Sequence, residues 1–336
     1  MSLELTKVRH LPVSQIPGGV GYQKVSEQQL LNELSDQTDI KIIPADEFLA
    51  NLNVPGTYSL PRTLNTLEWW DCFNQGSIGS CFGCSDCQTA TGVCWLKTGK
   101  RIEFSKFGHY IVTQMVGNML GRDVGSVPTD GIKVAAQIGY CPEKWCETCE
   151  QLWVEKYGSA SPFKDGQQMA PGYPSNYNQG LQTYKQWLEM VKKPDSNTRK
   201  AMALFKMDKY IHIDKTDQIL KAKRAGVGFV QQSSIWPKDM DQPGDRIETF
   251  SDSKDPNNKH SGGHAYQIMD LTPDDEFVPG NTWGEQWGDE GCKVMPAHVE
   301  QQILDDPMTI CFLKTDMPFV GGSKPRKIPI KAGDFV

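Results

Sequence analysis

The chain has 336 residues, 38% of them hydrophobic and 10% aromatic, enough to bury one substantial core or two modest ones. Its 35 Lys and Arg against 41 Asp and Glu leave a net charge of −6, which gives no electrostatic reason to expect nucleic acid or an anionic membrane as partner. No run approaches the ~18 apolar residues of a membrane span, and Met1 to His10 lack the apolar core of a secretory signal, so the expected compartment is the cytoplasm.

Residues 1–56 are rich in Pro, Gly, Gln and Asp, carry one short helical candidate around Val25 to Leu34, and close on the Pro55-Gly56 breaker. They read as an N-terminal extension, either a prosegment or a docking arm. From Cys81 to about Lys97 the absence of proline predicts a helix, and Gly99 is placed to end it. Two further helices are predicted over Ser105 to Leu120, ended by Gly121, and over Pro128 to Gln137, with Gly139 just past the end. Residues 150–210 are polar and resemble an insertion, with Leu181, Tyr184, Trp187, Leu188 and Val191 at helical spacing inside it. Asp217 to Arg224 is a fifth candidate. Beyond it the pattern changes to short runs at Phe229-Val230, Ala265 to Met269, Phe277-Val278, Lys293 to Met295 and Thr309 to Leu313, which predicts antiparallel strands. The tail, residues 318–336, carries Lys324, Arg326, Lys327 and Lys331 and reads as a disordered end or an arm for an assembly partner.

The ten cysteines cluster at positions 72, 81, 84, 87 and 94 and at 141, 146 and 149, with Cys292 and Cys311 apart, a distribution that favours free thiols or metal ligation over a disulfide framework. One of them sits in a distinctive setting. Asn74-Gln-Gly-Ser-Ile-Gly-Ser-Cys81 displays a thiol behind a glycine-rich turn, at the start of a predicted helix, with the Gln75 amide six positions earlier. A thiol is mostly protonated at neutral pH, so a cysteine nucleophile needs a base to take its proton and a positive field to hold the thiolate. The helix N-terminus supplies the field, and the imidazole of His264 in Gly262-Gly263-His264-Ala265 can supply the base. Asn281, opening Asn281-Thr-Trp-Gly-Glu-Gln-Trp-Gly288, can fix the ring from its far nitrogen. Gln75 and the Cys81 backbone N–H form a plausible pair of oxyanion donors.

In order and content these three blocks resemble the signatures of the papain-like cysteine peptidases, and Asp123-Val-Gly-Ser126 and Gly139-Tyr-Cys-Pro-Glu-Lys-Trp145 resemble the link that follows the active-site helices in the bacterial branch. The resemblance covers about residues 60–315. It implies an α+β, two-lobe fold, with a helical left lobe (about 75–150) and an antiparallel β-barrel-like right lobe (about 211–315) within a catalytic domain of residues 57–317, and the active site in the cleft between them. It implies Cys81 as nucleophile, His264 as general base and acid, Asn281 as orienter, Gln75 in the oxyanion hole, and Trp283 shielding the Asn–His hydrogen bond. It further implies that Gly125 and Ser126 bind substrate backbone, that Ala265 lines a specificity pocket, and that the substrate is a peptide or protein, with no cofactor and no metal.

The sequence departs from the family at Ile78, where many secreted members have a disulfide cysteine, at Phe82, where tryptophan is usual, and at Ser126, where glycine is usual. Cys81 and His264 also stand further apart than the ~130–150 positions of secreted members, which the 150–210 insertion explains. Ile78 moves the reading toward an intracellular bacterial-type or phage-type enzyme, virion-associated if of phage origin. Other readings of the same residues are kept. Cys81-x-x-Cys84 can close a reversible disulfide; Cys84-x-x-Cys87 with Cys146-x-x-Cys149 has zinc-knuckle spacing, against core packing of Cys84, Cys87 and Cys94 on one helix face. Trp69-Trp70, Trp283 and Trp287 serve packing or an aromatic platform. The alternative to a peptidase is a structural or assembly protein, such as a virion component, built on the same scaffold.

Overall fold

A computed structural model describes residues 26–50, 52, 70–258 and 260–317, and its first element is set by a serine cap. Ser26 Oγ accepts the Gln29 N–H and starts α1 (Glu27–Ser35), whose Leu30 and Leu34, four apart, are both buried. Strand β1 (Lys41–Pro44) and the short helix α2 (Ala45–Leu49) follow. The helical lobe is built from α3 (Cys81–Thr98), α4 (Lys106–Val116), α5 (Pro128–Lys133) running into one π-helical turn at Val134–Ile138, α6 (Glu147–Tyr157), α7 (Tyr177–Val191) and α8 (Asn197–Met202). Strand β2 (Lys209–Ile213), α9 (Thr216–Ala225), β3 (Phe229–Pro237), β4 (His260–Leu271), β5 (Phe277–Gly280), α10 (Ala297–Leu304) and β6 (Ile310–Lys314) make the β lobe.

The sheet runs β1-β2-β6-β3-β4-β5. Pairs from β2 onward are antiparallel, whereas β1 pairs with β2 in parallel, Ile42 opposite Tyr210. The sheet is therefore mixed and open where an antiparallel, barrel-like lobe was expected. The reason lies in residues 26–50, read from composition as part of an extension: Leu30 and Leu34 join the helical-lobe core, while Ala45 and Leu49 join the β-lobe core. His212 and Glu27 meet at 2.6 Å, and Gln218 donates to Asp46 at 3.0 Å, fixing the segment from both ends. The remaining parts of the 1–56 reading, together with Trp69 and the tail 318–336, lie outside the described residues.

Residues 150–210 are integral to the helical lobe. Tyr177, Tyr184, Trp187, Leu188 and Val191 pack in one cluster with Phe107, Tyr110 and Ile111 of α4, and the Phe107 and Tyr184 ring centroids are 5.0 Å apart. The segment reads as polar because the opposite face of α7 is solvated. Helix α4 stops at Val116, ahead of the predicted Leu120, because Gly117 caps it and Asn118 turns left-handed (φ 55°). Elements with weak periodicity, α6, α8 and α10, emerge only in the fold.

A buried polar network joins the lobes. Asp86 of α3 is fully buried; its carboxylate accepts from Lys314 of β6 and, at 2.7 Å, from the Tyr140 hydroxyl, and His109 Nε2 lies 2.8 Å away. Lys314 also donates to Gln231 of β3, whose amide donates at 3.0 Å to Ser85. Burial alone would raise the Asp86 carboxyl, but Lys314 and His109 overcome it and hold it well below the usual carboxylate range. Gln267 of β4 donates to the Ser85 carbonyl at 2.8 Å, so the first turns of α3 are pinned to the strand that carries His264.

Candidate active site

Two motifs 207 positions apart meet through backbone hydrogen bonds. Asn74 bridges Trp283 in antiparallel fashion, Gln75 N–H donates to Thr282 O at 2.8 Å, and Gly284 N–H donates to Phe73 O at 3.1 Å. The chain then turns through Gly76 at φ 62°, a left-handed conformation that glycine adopts without strain. Gly79 N–H donates to Asp123 Oδ1 at 2.9 Å, the oxygen that also accepts the Tyr110 hydroxyl at 2.8 Å. Ser80 caps the 18-residue helix α3, and Cys81 is its first residue. Tyr173, from the segment between α6 and α7, reaches Ser80 Oγ at 2.5 Å and donates to Gln75 O at 3.2 Å. The displayed thiol is thus held by the turn, by Asp123 and by Tyr173. Asp123 stands in the Asp123-Val-Gly-Ser126 block, but its role was not read from it; Tyr173 falls in no motif.

Cys81 is buried and packs with Phe82 against Ala265 of β4. The Phe82 ring also covers Gly131, where an added Cβ would lie 2.0 Å from it, so the smaller ring at this position is matched by a glycine on α5. Ala265 follows His264, which the β3–β4 pairing sets opposite Ser234. His264 Nε2 and Asn281 Oδ1 are 2.7 Å apart, and Oδ1 also accepts the Thr282 N–H at 2.7 Å. An oxygen accepting from both directions places the ring proton on Nε2. Nδ1, buried and without a hydrogen-bond partner, keeps its lone pair. Trp283 lies over the ring at 4.6 Å between centroids and Trp236 meets it edge-on at 4.8 Å, so two indoles dry the His–Asn hydrogen bond. Trp236 was missed from sequence; the Ile235-Trp-Pro237 end of β3 gives no signal of its own.

Burial lowers the His264 pKa to about 4, with the Asn281 hydrogen bond opposing. In the unfolded chain its ordinary value is near 6.5. Stability from keeping the ring neutral is therefore full above pH 6.5 and is lost as pH falls toward 4, because only the unfolded state gains the proton. The difference is roughly 3 kcal/mol. Urea unfolding of wild type and His264→Gln at pH 7 and pH 4.5 tests this, with a shallower acid loss expected in the variant. Parallel losses would assign the acid sensitivity to other groups.

Gln75 is buried. Its Oε1 accepts from the Thr282 hydroxyl and its Nε2 donates to Ile78 O at 2.8 Å, which orients the amide and leaves its second N–H as a donor beside the start of α3. Gly125 has φ 79°, its N–H donates to the Tyr110 hydroxyl at 3.2 Å and its carbonyl accepts from Gln114 at 2.9 Å, so both backbone groups are used internally. Ser126 is buried, with an unpartnered hydroxyl.

All ten cysteines are free. Cys84 lies 3.5 Å from Ser80 Oγ and burial pushes it up to about 11; Cys87 faces the Ser105 carbonyl, and Cys94 the Met317 sulfur. No group of three or more His, Cys, Asp or Glu in metal-binding geometry occurs among the described residues. No described helix is long and apolar enough to cross a membrane.

No protein-family model matches the sequence, and no curated protein matches it. Among solved structures, the chain is similar to xylellain, a cysteine protease from Xylella fastidiosa, with 20% identity, a TM-score of 0.56 and coverage of 91% of this chain and 100% of that one. Weaker likenesses are to procathepsin B S9 from Trypanosoma congolense (11% identity, TM-score 0.46, 84% and 85% of the two chains) and to the proform of the ragweed pollen cysteine protease Amb a 11 (14%, 0.49, 82% and 70%). The first of these likenesses, over nearly the whole chain, shows that this protein has the papain-like α+β fold of a helical lobe and a β lobe.

Proposed function

We propose that this protein is a cysteine-type peptidase that hydrolyses peptide bonds through a thioester acyl-enzyme. The observation that carries the reading is the buried His264, locked through Nε2 to Asn281 with Nδ1 unpartnered, on the strand that packs against Cys81 at the head of α3. In this mechanism Nδ1 takes the Cys81 proton as sulfur attacks the scissile carbonyl. The free Gln75 N–H and the Cys81 backbone N–H receive the developing oxyanion, preorganised by Thr282, Ile78 and Asp123. Imidazolium then protonates the departing amine, and a water activated by the same ring hydrolyses the thioester. The chemistry needs no cofactor.

Ala265, Ser126 and Gly125 are the proposed substrate contacts. Gly125 pairs with substrate backbone only if the bond to Tyr110 or to Gln114 opens. The free thiols fit a reducing, cytoplasmic setting, and the substrate is peptide or protein rather than nucleic acid or membrane. A purely structural role is not favoured, since a scaffold has no use for an oriented histidine with an open Nδ1. Residues 318–336 keep the basic arm proposed for an assembly partner.

The test is an epoxysuccinyl thiol probe followed by peptide mapping. Labelling at Cys81 that is lost in His264→Ala and protected by a competing peptide is expected. Native protein whose Cys81 stays unlabelled while peptides go uncleaved would overturn the proposal.

A further inference from the structure

Helix α6 begins with a second, separate pair of thiols. Cys146 is its N-cap, extended (φ −134°, ψ 170°) and half-exposed; Cys149 lies in the first turn and is fully buried. The two sulfurs are 3.3 Å apart. Trp145 and Trp153 hold this turn, with ring centroids at 5.7 Å, and Trp145 Nε1 donates to Glu150 at 2.9 Å, so the pair sits on a rigid frame. The two thiols are in hydrogen-bond contact, and the backbone N–H groups of Cys149 and Thr148 face the Cys146 sulfur. The contact with Cys149 and those N–H groups, against burial and Asp165, lower Cys146 to about 6, while the contact with Cys146 and burial push Cys149 well above its ordinary range. Cys146 is therefore the more accessible and more acidic thiol of the pair, and Cys149 the sheltered one.

We infer that Cys146 and Cys149 form a redox-active dithiol that a peroxide converts to an intramolecular disulfide, at a site distinct from Cys81. The Cys146 thiolate attacks one peroxide oxygen, the O–O bond breaks, and the sulfur becomes a sulfenic acid as the other oxygen leaves and is protonated to water. The Cys149 sulfur then attacks the sulfenic sulfur, the S–O bond breaks, and the expelled hydroxide takes the Cys149 proton to leave as a second water. Two thiols lose two electrons and two protons, and the peroxide is reduced to two waters. A dithiol such as dithiothreitol reverses the step by exchange. The contact between the sulfurs means that closure needs little backbone movement, since the pair already occupies the first turn of one helix.

The experiment uses the full chain. After limiting hydrogen peroxide and alkylation, trypsin releases Trp145 to Lys156 as one peptide holding both cysteines. The expected product is that peptide with an internal disulfide, restored to the dithiol by dithiothreitol. In Cys149→Ser, Cys146 is expected to accumulate as a sulfenic acid trapped by dimedone. In Cys149→Ala, which removes the sulfur contact, alkylation of Cys146 at neutral pH should slow roughly threefold, the fall in thiolate fraction being partly offset by higher nucleophilicity. The inference is overturned if both thiols remain fully alkylatable while other cysteines oxidise. It is equally overturned if oxidised Cys146 is found bonded to a cysteine other than Cys149.

Discussion

Replacing His264 with alanine is expected to lower kcat/KM on a peptide substrate roughly ten-thousand-fold, and Cys81→Ala to be at least as inactive. Without the ring the proposed acceptor of the thiol proton is gone, and Phe82 and Ala265, which pack with Cys81, are apolar. In the proposed mechanism the residues act as a unit, so the double variant Cys81→Ala/His264→Ala should be no slower than Cys81→Ala alone. Asn281→Ala should cost less than His264→Ala, since Trp283 and Trp236 still clamp the ring at 4.6 and 4.8 Å. Its signature would be a change in the pH profile as the Nε2 proton loses its acceptor. Initial rates on a fluorogenic peptide, with circular dichroism to confirm folding, provide the measurement. A His264→Ala protein within tenfold of wild type would remove this histidine from the chemistry.

The largest stability effect is expected at Asp86, far from any motif. Asp86→Ala leaves the Lys314 ammonium fully buried, facing Gln231 and the Tyr210 ring at 5.6 Å, with no counter-charge. Breaking one side of a buried pair costs about 3–5 kcal/mol, whereas replacing both partners with apolar side chains of similar volume is far milder. Asp86→Leu combined with Lys314→Met should therefore recover much of the stability lost in Asp86→Ala. Urea midpoints of the three proteins decide it. Equal losses in the single and double variants would mean that the pair's worth lies in the wider network of Tyr140, His109 and Ser85. Because that network ties α3 to β3, β4 and β6, Asp86→Ala should also reduce activity beyond its effect on folded fraction.

The candidate site was legible from sequence where the proposed chemistry demands particular residue types in local runs. Cys81, His264, Asn281 and Gln75 stand in short glycine-rich or tryptophan-rich blocks, and helix α3 with its Gly99 cap followed from the lack of proline and the glycine stop. What escaped were the roles of supporting partners. Tyr173 and Trp236 have ordinary local sequence, and Asp123 and Thr282 stand inside the quoted blocks, but all four act through hydrogen bonds or ring contacts across the fold, and no periodicity marks such a role. Likewise, helical candidates were read over Val25 to Leu34 and over Leu181 to Val191, but the polar composition of residues 26–50 and 150–210 concealed that their apolar stripes, Leu30 with Leu34 and Tyr184 with Trp187, join the core. Averaged over a window, a single buried stripe among exposed Gln, Lys and Asp looks like a linker.

By itself, then, the sequence determined the candidate residue types, their order and the helix that presents the thiol, since each depends on short-range pattern or on side-chain identity, and through its motif resemblance it implied the two-lobe class. Tertiary structure decided the rest. It set the parallel strand β1 at the sheet edge, the docking of 150–210 into the helical core, the orientation of His264 and the sulfur contact of Cys146 with Cys149. These depend on which surfaces meet, and burial of apolar area is indifferent to distance along the chain, so only the folded chain fixes which partners are neighbours.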